Sequence, residues 1–160
     1  MKVGNLPLCV DIDKTLTNRQ FSVIAILAVA AACAEAVKLT HSQATAKLSA
    51  AGVQWTSSGG CSDSNTKTCT SFDQVNEDTI NGVITLKKAC ACAITITGGT
   101  EVGHASGTYS HANGYKLDIA KATAINNYIT STFTRIADRS DGYAQYKARS
   151  GNIYCVSLGC

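Results

Sequence analysis

The chain has 160 residues, a length that suits one domain with a buried core. Its residues are 45% apolar and 16% charged, which excludes a disordered polymer, and its formal charge of +3 comes without any Lys/Arg run, which excludes a nucleic-acid footprint. Eight cysteines in so short a chain point to an oxidising compartment.

The first predicted element is an apolar N-terminal segment. Phe21 to Ala34 is uncharged and apolar, follows Lys14 and Arg19, and leads into Ala34-Glu35-Ala36, the small-x-small pattern of a cleavage site. Its 14 residues fall short of the about 20 that a membrane span needs. Residues 1–36 are therefore expected to be a Sec-type export signal, or an apolar helix kept for subunit assembly. Residues 37–160 are expected to be the domain delivered to the cell surface or beyond it. Upstream, Asp11-Ile12-Asp13-Lys14-Thr15 resembles the nucleophile motif of haloacid-dehalogenase-type phosphatases. That chemistry needs the motif at the end of a strand in a Rossmann-like sheet, whereas here it runs straight into the apolar segment, so no phosphatase is read from it.

In the exported domain, Thr40 is placed to cap a helix through Ala50, with Ala44, Leu48 and Ala51 as its apolar stripe and Gly52 at its end. Val53 to Trp55 reads as a short strand, and the Ser-, Gly-, Asn- and Thr-rich stretch from Ser57 to Thr70 as a loop. Cys61 and Cys69 bracket that loop and are expected to form a disulfide. Thr79 to Lys88 has helical spacing at Ile80, Val83, Ile84 and Lys87, with Lys87 and Lys88 suiting the C-terminal dipole. Cys90 and Cys92 are read as strand neighbours sharing a face, too close for an unstrained mutual bridge, and are expected to pair instead with Cys155 and Cys160. Ala93 to Thr97 alternates as a strand does, Gly98 to Ser110 is a glycine-rich loop, and Tyr115 to Ala120 is a second strand. Ala122 to Phe133 is a helix, and residues 145–149 and 152–157 form a hairpin around Ser150-Gly151. The expected fold class is α+β: a small antiparallel sheet with two or three packed helices, plus the N-terminal apolar helix.

Strand alternation between Tyr115 and Ile119 places Tyr115, Leu117 and Ile119 on one apolar face and Lys116 and Asp118 on the other. An acid on that polar face, following a histidine in a glycine turn, can converge with it on one metal ion. Gly114 lets the chain bend between His111 and Asp118. An imidazole nitrogen and a carboxylate oxygen are a ligand pair of catalytic zinc, whose sites use three protein ligands and keep one position for water. The competing reading makes His111 a turn histidine and Asp118 a capping residue or the partner of Lys116. His41 near a helix start is read as ordinary, and Trp55 and Tyr143 as aromatic side chains able to stack on sugar.

Ser110-His111-x-x-Gly114-x-x-x-Asp118 resembles the signature of D-Ala-D-Ala carboxypeptidases and their hedgehog-like zinc-peptidase relatives, and the preceding Ile94 to Gly107 resembles the strand and loop before it. The resemblance implies a peptidase-like core acting on bacterial wall peptides, with His111 and Asp118 as zinc ligands. It also calls for a downstream Glu-x-x-His, the glutamate as general base and the histidine as third ligand. After Asp118 the only acids are Asp138 and Asp141, and there is no histidine. Candidates for the third ligand are Cys160, Cys155 and His104. The expected function is thus a secreted, wall-associated zinc-peptidase-like domain with impaired catalysis, partnered by peptidoglycan or another wall polymer. Were it active, it would be a zinc D,D-peptidase. The alternative is a non-catalytic structural subunit of an extracellular assembly or filament, self-associating through the N-terminal apolar helix.

Overall fold

A computed structural model of the chain describes residues 3–4 and 36–156. Of the proposed export segment only Val3, Gly4 and Ala36 are described; its apolar stretch from Phe21 to Ala34, and Cys160, lie outside the described residues. The elements in chain order are β1 (Val3–Gly4), β2 (Lys38–Leu39), α1 (His41–Ala50), β3 (Gln54–Trp55), β4 (Val75–Asn76) and α2 (Glu77–Cys90). They continue with β5 (Thr95–Gly98), β6 (Asp118–Ile119), α3 (Thr123–Thr132), β7 (Thr134–Ile136), β8 (Ala144–Lys147) and β9 (Ile153–Val156). The class is α+β, with three helices and small sheets among the described residues.

Local chemistry sets the ends of α1. The Thr40 hydroxyl accepts the Gln43 N–H while the Gln43 side chain accepts the Thr40 N–H at 2.9 Å, a reciprocal capping box. At the other end Gly52 takes φ +68, the Val53 N–H donates to the Leu48 carbonyl at 2.9 Å and the Gly52 N–H to the Ser49 carbonyl at 3.0 Å. This pairing is a Schellman motif, which reverses the chain and delivers it into β3. Helix α2 carries Glu77 and Asp78 in its first turn and Lys87 and Lys88 in its last, both matched to the helix dipole. No helix of the described residues is long and apolar enough to cross a membrane.

The expected single antiparallel sheet is replaced by three. β3, β5 and β6 form one, β2 and β4 a second, and β1, β9, β8 and β7 a third. Within the first sheet β3 and β5 run parallel, which requires a crossover, and the segment carrying α2 provides it. The antiparallel hairpin of β8 and β9 forms around Ser150-Gly151, and β7, which has no apolar alternation of its own, adds to its edge. One core lies between the helices and the sheets, built from Leu48, Phe72, Ile80, Leu86, Ile94, Ile96, Leu117, Ile125 and Ile129, all fully buried.

The cysteine pairing departs from expectation at one place. Cys61 and Cys69 are bridged across their loop, but Cys90 is bridged to Cys92 and not to the terminal hairpin. The two residues are not strand neighbours. Cys90 ends α2 and Ala91 takes φ 49, so the chain folds back there and brings the two Cα atoms to 5.2 Å, inside the ordinary disulfide range. The Lys87 ammonium donates to the Cys92 carbonyl at 2.8 Å and closes the same turn. Cys155 on β9 is also disulfide-bonded.

Candidate metal centre

Three backbone features bring the site together. The first is the β5–β6 ladder. Ile96 pairs with Ile119 and Gly98 with Asp118, across a register shift, so the Asp118 carboxylate lies against the backbone of Gly98. A Cβ at Gly98 would stand 3.0 Å from Asp118 Oδ2 and 3.3 Å from Glu101 Oε1, so only glycine leaves both carboxylates this close to the strand. Of the expected strand from Tyr115 to Ala120, only Asp118 and Ile119 join the ladder. The alternation still holds there: Leu117 and Ile119 are buried and Asp118 is partly exposed.

The second feature is the turn that carries His111. The Gly114 N–H donates to the His111 carbonyl at 2.8 Å, and the Tyr115 N–H to the Ser110 carbonyl at 3.0 Å. Gly114 sits at φ +75 against the backbone of Gln74 and Val75, where a side chain has no room. Its carbonyl accepts the Asn76 N–H at 3.1 Å and the Thr79 hydroxyl at 2.8 Å, which docks the turn on the start of α2. His111 is thereby held at 1% exposure.

The third feature is the loop after β5. Glu101, at 3% exposure, accepts the Ser71 N–H at 2.8 Å and the Gly99 N–H at 3.0 Å. Its Oε1 lies 3.0 Å from Nε2 of His104. The two imidazoles stack, with ring centroids 3.9 Å apart and planes 12° off parallel.

Nδ1 of His111 contacts the Gly99 carbonyl oxygen at 2.7 Å; a carbonyl only accepts, so Nδ1 carries a proton, and in the neutral ring Nε2 keeps its lone pair. That Nε2 is buried, faces Asp118 Oδ1 at 3.4 Å and makes no hydrogen bond within the described residues. Nδ1 of His104 faces the other oxygen of Asp118 at 3.7 Å. Ligand atoms of His104, His111 and Asp118 all fall within 4.8 Å of one another. Two ligands of a tetrahedral ion with bonds of about 2.1 Å stand ~3.4 Å apart; the contacts of His111 Nε2 and His104 Nδ1 with Asp118, at 3.4 and 3.7 Å, are near that spacing. A buried imidazole nitrogen without a hydrogen bond, beside a second imidazole and a carboxylate, is a donor set able to hold a metal ion. Both histidines also have the outer contact that ligating histidines use to fix their tautomer.

The sequence-derived candidates divide as follows. His111 and Asp118 come together, and His104 joins them as the third member. Cys155 is removed as a thiolate ligand because it is disulfide-bonded; Cys160 lies outside the described residues. His41 stands apart, stacked on Phe72 at 5.3 Å with its Nδ1 accepting the Phe72 N–H. Trp55 packs edge-on against the same Phe72 and lines an open groove with His41, Thr56 and Thr70. Sequence reasoning missed Glu101. The signal was there: Glu101-Val102-Gly103-His104 is itself a Glu-x-x-His, standing upstream of His111 instead of downstream of Asp118.

No protein-family model matches the chain, and neither the curated proteins nor the solved structures compared with it give a match.

Proposed function

We propose that this domain holds one divalent transition-metal ion, of zinc type, on His104, His111 and Asp118, and serves as an exported, wall-associated domain of zinc-peptidase type with weakened hydrolysis. The observation that carries the reading is the convergence of three ligand atoms within 4.8 Å, with the outer nitrogen of each imidazole already tied to an acceptor. Soft and borderline metals suit imidazole, whereas magnesium and calcium favour all-oxygen shells, so a two-histidine, one-carboxylate set points to the former. His104 and Asp118 are 23% and 24% exposed at the side chain, so a ligand from solvent can reach the centre from their side. The disulfides of this small domain agree with an oxidising compartment, and the Ser110 to Asp118 signature supports a peptide of the bacterial wall as the partner.

A metal bound here would supply a Lewis acid and an acidified water. Rapid hydrolysis also needs a general base with an available oxygen. Glu101 is the nearest carboxylate outside the ligand set, and its oxygens are already engaged by two backbone N–H groups and by His104, so it is poorly suited to shuttling protons. Weak or absent turnover is therefore expected. Zinc-loaded protein incubated with muropeptides ending in D-Ala-D-Ala tests this. Slow release of D-Ala that disappears in His111→Ala supports an impaired peptidase. Zinc retention with binding to wall fragments but no release supports a wall-binding unit. Failure to retain any transition metal removes the proposal.

A further inference from the structure

Glu101 has a use that the metal ligands alone do not explain. A carboxylate buried to 3% exposure is costly unless each oxygen is paired, and this one is tied to two separate chain segments. The Ser71 N–H reaches it from the segment after the Cys61–Cys69 loop, and the Gly99 N–H from the end of β5. The Thr100 N–H donates to the Ser71 carbonyl at 2.7 Å and locks the same two segments together. The carboxylate is therefore fixed in position before any ion arrives, with one oxygen aimed at Nε2 of His104.

We infer that Glu101 is the positioning residue of the centre: it fixes His104 as the Nε2–H tautomer, so that His104 offers Nδ1 and His111 offers Nε2 to the same ion. This rests on the metal-centre reading for the ion, but the tautomer assignment holds for metal-free protein too. Because a carboxylate in this setting only accepts, the 3.0 Å contact makes Nε2 of His104 the donor. In the neutral ring the lone pair is then left on Nδ1, the nitrogen that faces Asp118 Oδ2. For His111 the Gly99 carbonyl enforces the opposite choice. The two histidines thus ligate through different nitrogens, each set by an acceptor on the same short stretch, Gly99 to Glu101. A glutamine at position 101 cannot serve all of these donors. Its single oxygen would take the backbone N–H groups and its NH2 would face His104, which would move the His104 proton to Nδ1 and block ligation.

Long-range proton–nitrogen correlation spectra of protein labelled with 15N-histidine read the tautomers directly, before and after titration with zinc. The expected wild-type result is an Nε2–H pattern for His104 and an Nδ1–H pattern for His111 in metal-free protein. On zinc addition the shift should fall on Nδ1 of His104 and Nε2 of His111. In Glu101→Gln the His104 pattern should invert and zinc affinity should fall roughly 10–100-fold, the usual effect of losing such an outer contact. A wild-type His104 in the Nδ1–H form overturns the inference, and so does a folded Glu101→Gln protein with unchanged tautomer and affinity. If Glu101→Gln does not fold, the wild-type pattern alone decides. A wild-type protein that binds no zinc defeats the metal-centre reading, while its metal-free spectrum still tests Glu101.

Discussion

Replacing Gly99 by alanine probes how the fold builds the site. A Cβ at this position would fall on the Ser71 carbonyl oxygen, with the Ser71 carbonyl carbon 2.9 Å and Phe72 Cδ1 3.2 Å away. The obstacle is backbone plus a fully buried ring, so a flexible side chain cannot give way. Relieving it means separating the end of β5 from Ser71. Such overpacking costs about 1–3 kcal/mol by itself. The separation also strains the Thr100 N–H bond to the Ser71 carbonyl, about 1 kcal/mol, and the Ser71 N–H bond to the Glu101 carboxylate, about 1.5–3 kcal/mol because its acceptor is charged. A total of about 4 kcal/mol is expected, since partial relaxation saves part of the sum. Urea unfolding followed by circular dichroism reads it as a lower midpoint at unchanged slope. Because the Gly99 carbonyl orients His111, zinc affinity should fall in the same variant. A Gly99→Ala protein within about 1 kcal/mol of wild type, with unchanged zinc affinity, would refute the reasoning.

Three further outcomes follow from the structure. Burial pushes the His41 imidazole below its ordinary 6.5, against an opposing pull from Asp73. The folded protein then resists a proton that the unfolded chain accepts. The His41 contribution is complete above about pH 6.5 and is lost as pH falls through the lowered value, and His41→Phe, which keeps a ring against Phe72, should flatten that acid limb in unfolding titrations. The Cys61–Cys69 and Cys90–Cys92 disulfides should differ in worth because they close loops of different length, with sequence separations of 8 and 2. On the loop-entropy account Cys61→Ser with Cys69→Ser should cost about 2.5 kcal/mol and Cys90→Ser with Cys92→Ser about 1.5 kcal/mol, and thermal melts that reverse this order contradict it. Ile96→Ala, in the fully buried middle of β5, should cost about 2–5 kcal/mol in the same melts, and a loss below 1 kcal/mol would show that Ile96 is not part of the core.

How much of this was legible in the sequence depends on how local each cause is. The α1 ends are written in Thr40, Gln43 and Gly52, whose effects reach only a few residues. The burial of Leu117 and Ile119 follows from alternation even though the hydrogen-bonded ladder is two residues long. The parallel pairing of β3 with β5 was less visible, because β3 is a two-residue strand and its partner lies beyond a helix. β7 has no apolar pattern, since it is held by its register with β8 and not by burial. The Cys90–Cys92 bridge is not legible from spacing, because α2 runs on to Cys90 and Ala91 then takes a left-handed conformation. His104 is among the third-ligand candidates, but its partner Glu101 is not, because the resemblance places the Glu-x-x-His downstream of Asp118. A Glu-x-x-His can serve the site from either side of His111, because the β5 loop and the His111 turn meet in space.

In the proposed centre His104, His111 and Asp118 act together on one ion. Metal-free protein titrated with zinc, with bound metal measured by mass spectrometry after desalting, tests it most directly. The expected result is one zinc per chain in wild type and a large loss of affinity in each of His104→Ala, His111→Ala and Asp118→Ala, with the fold retained by circular dichroism. A wild-type protein that retains no more zinc than the three folded variants would contradict it.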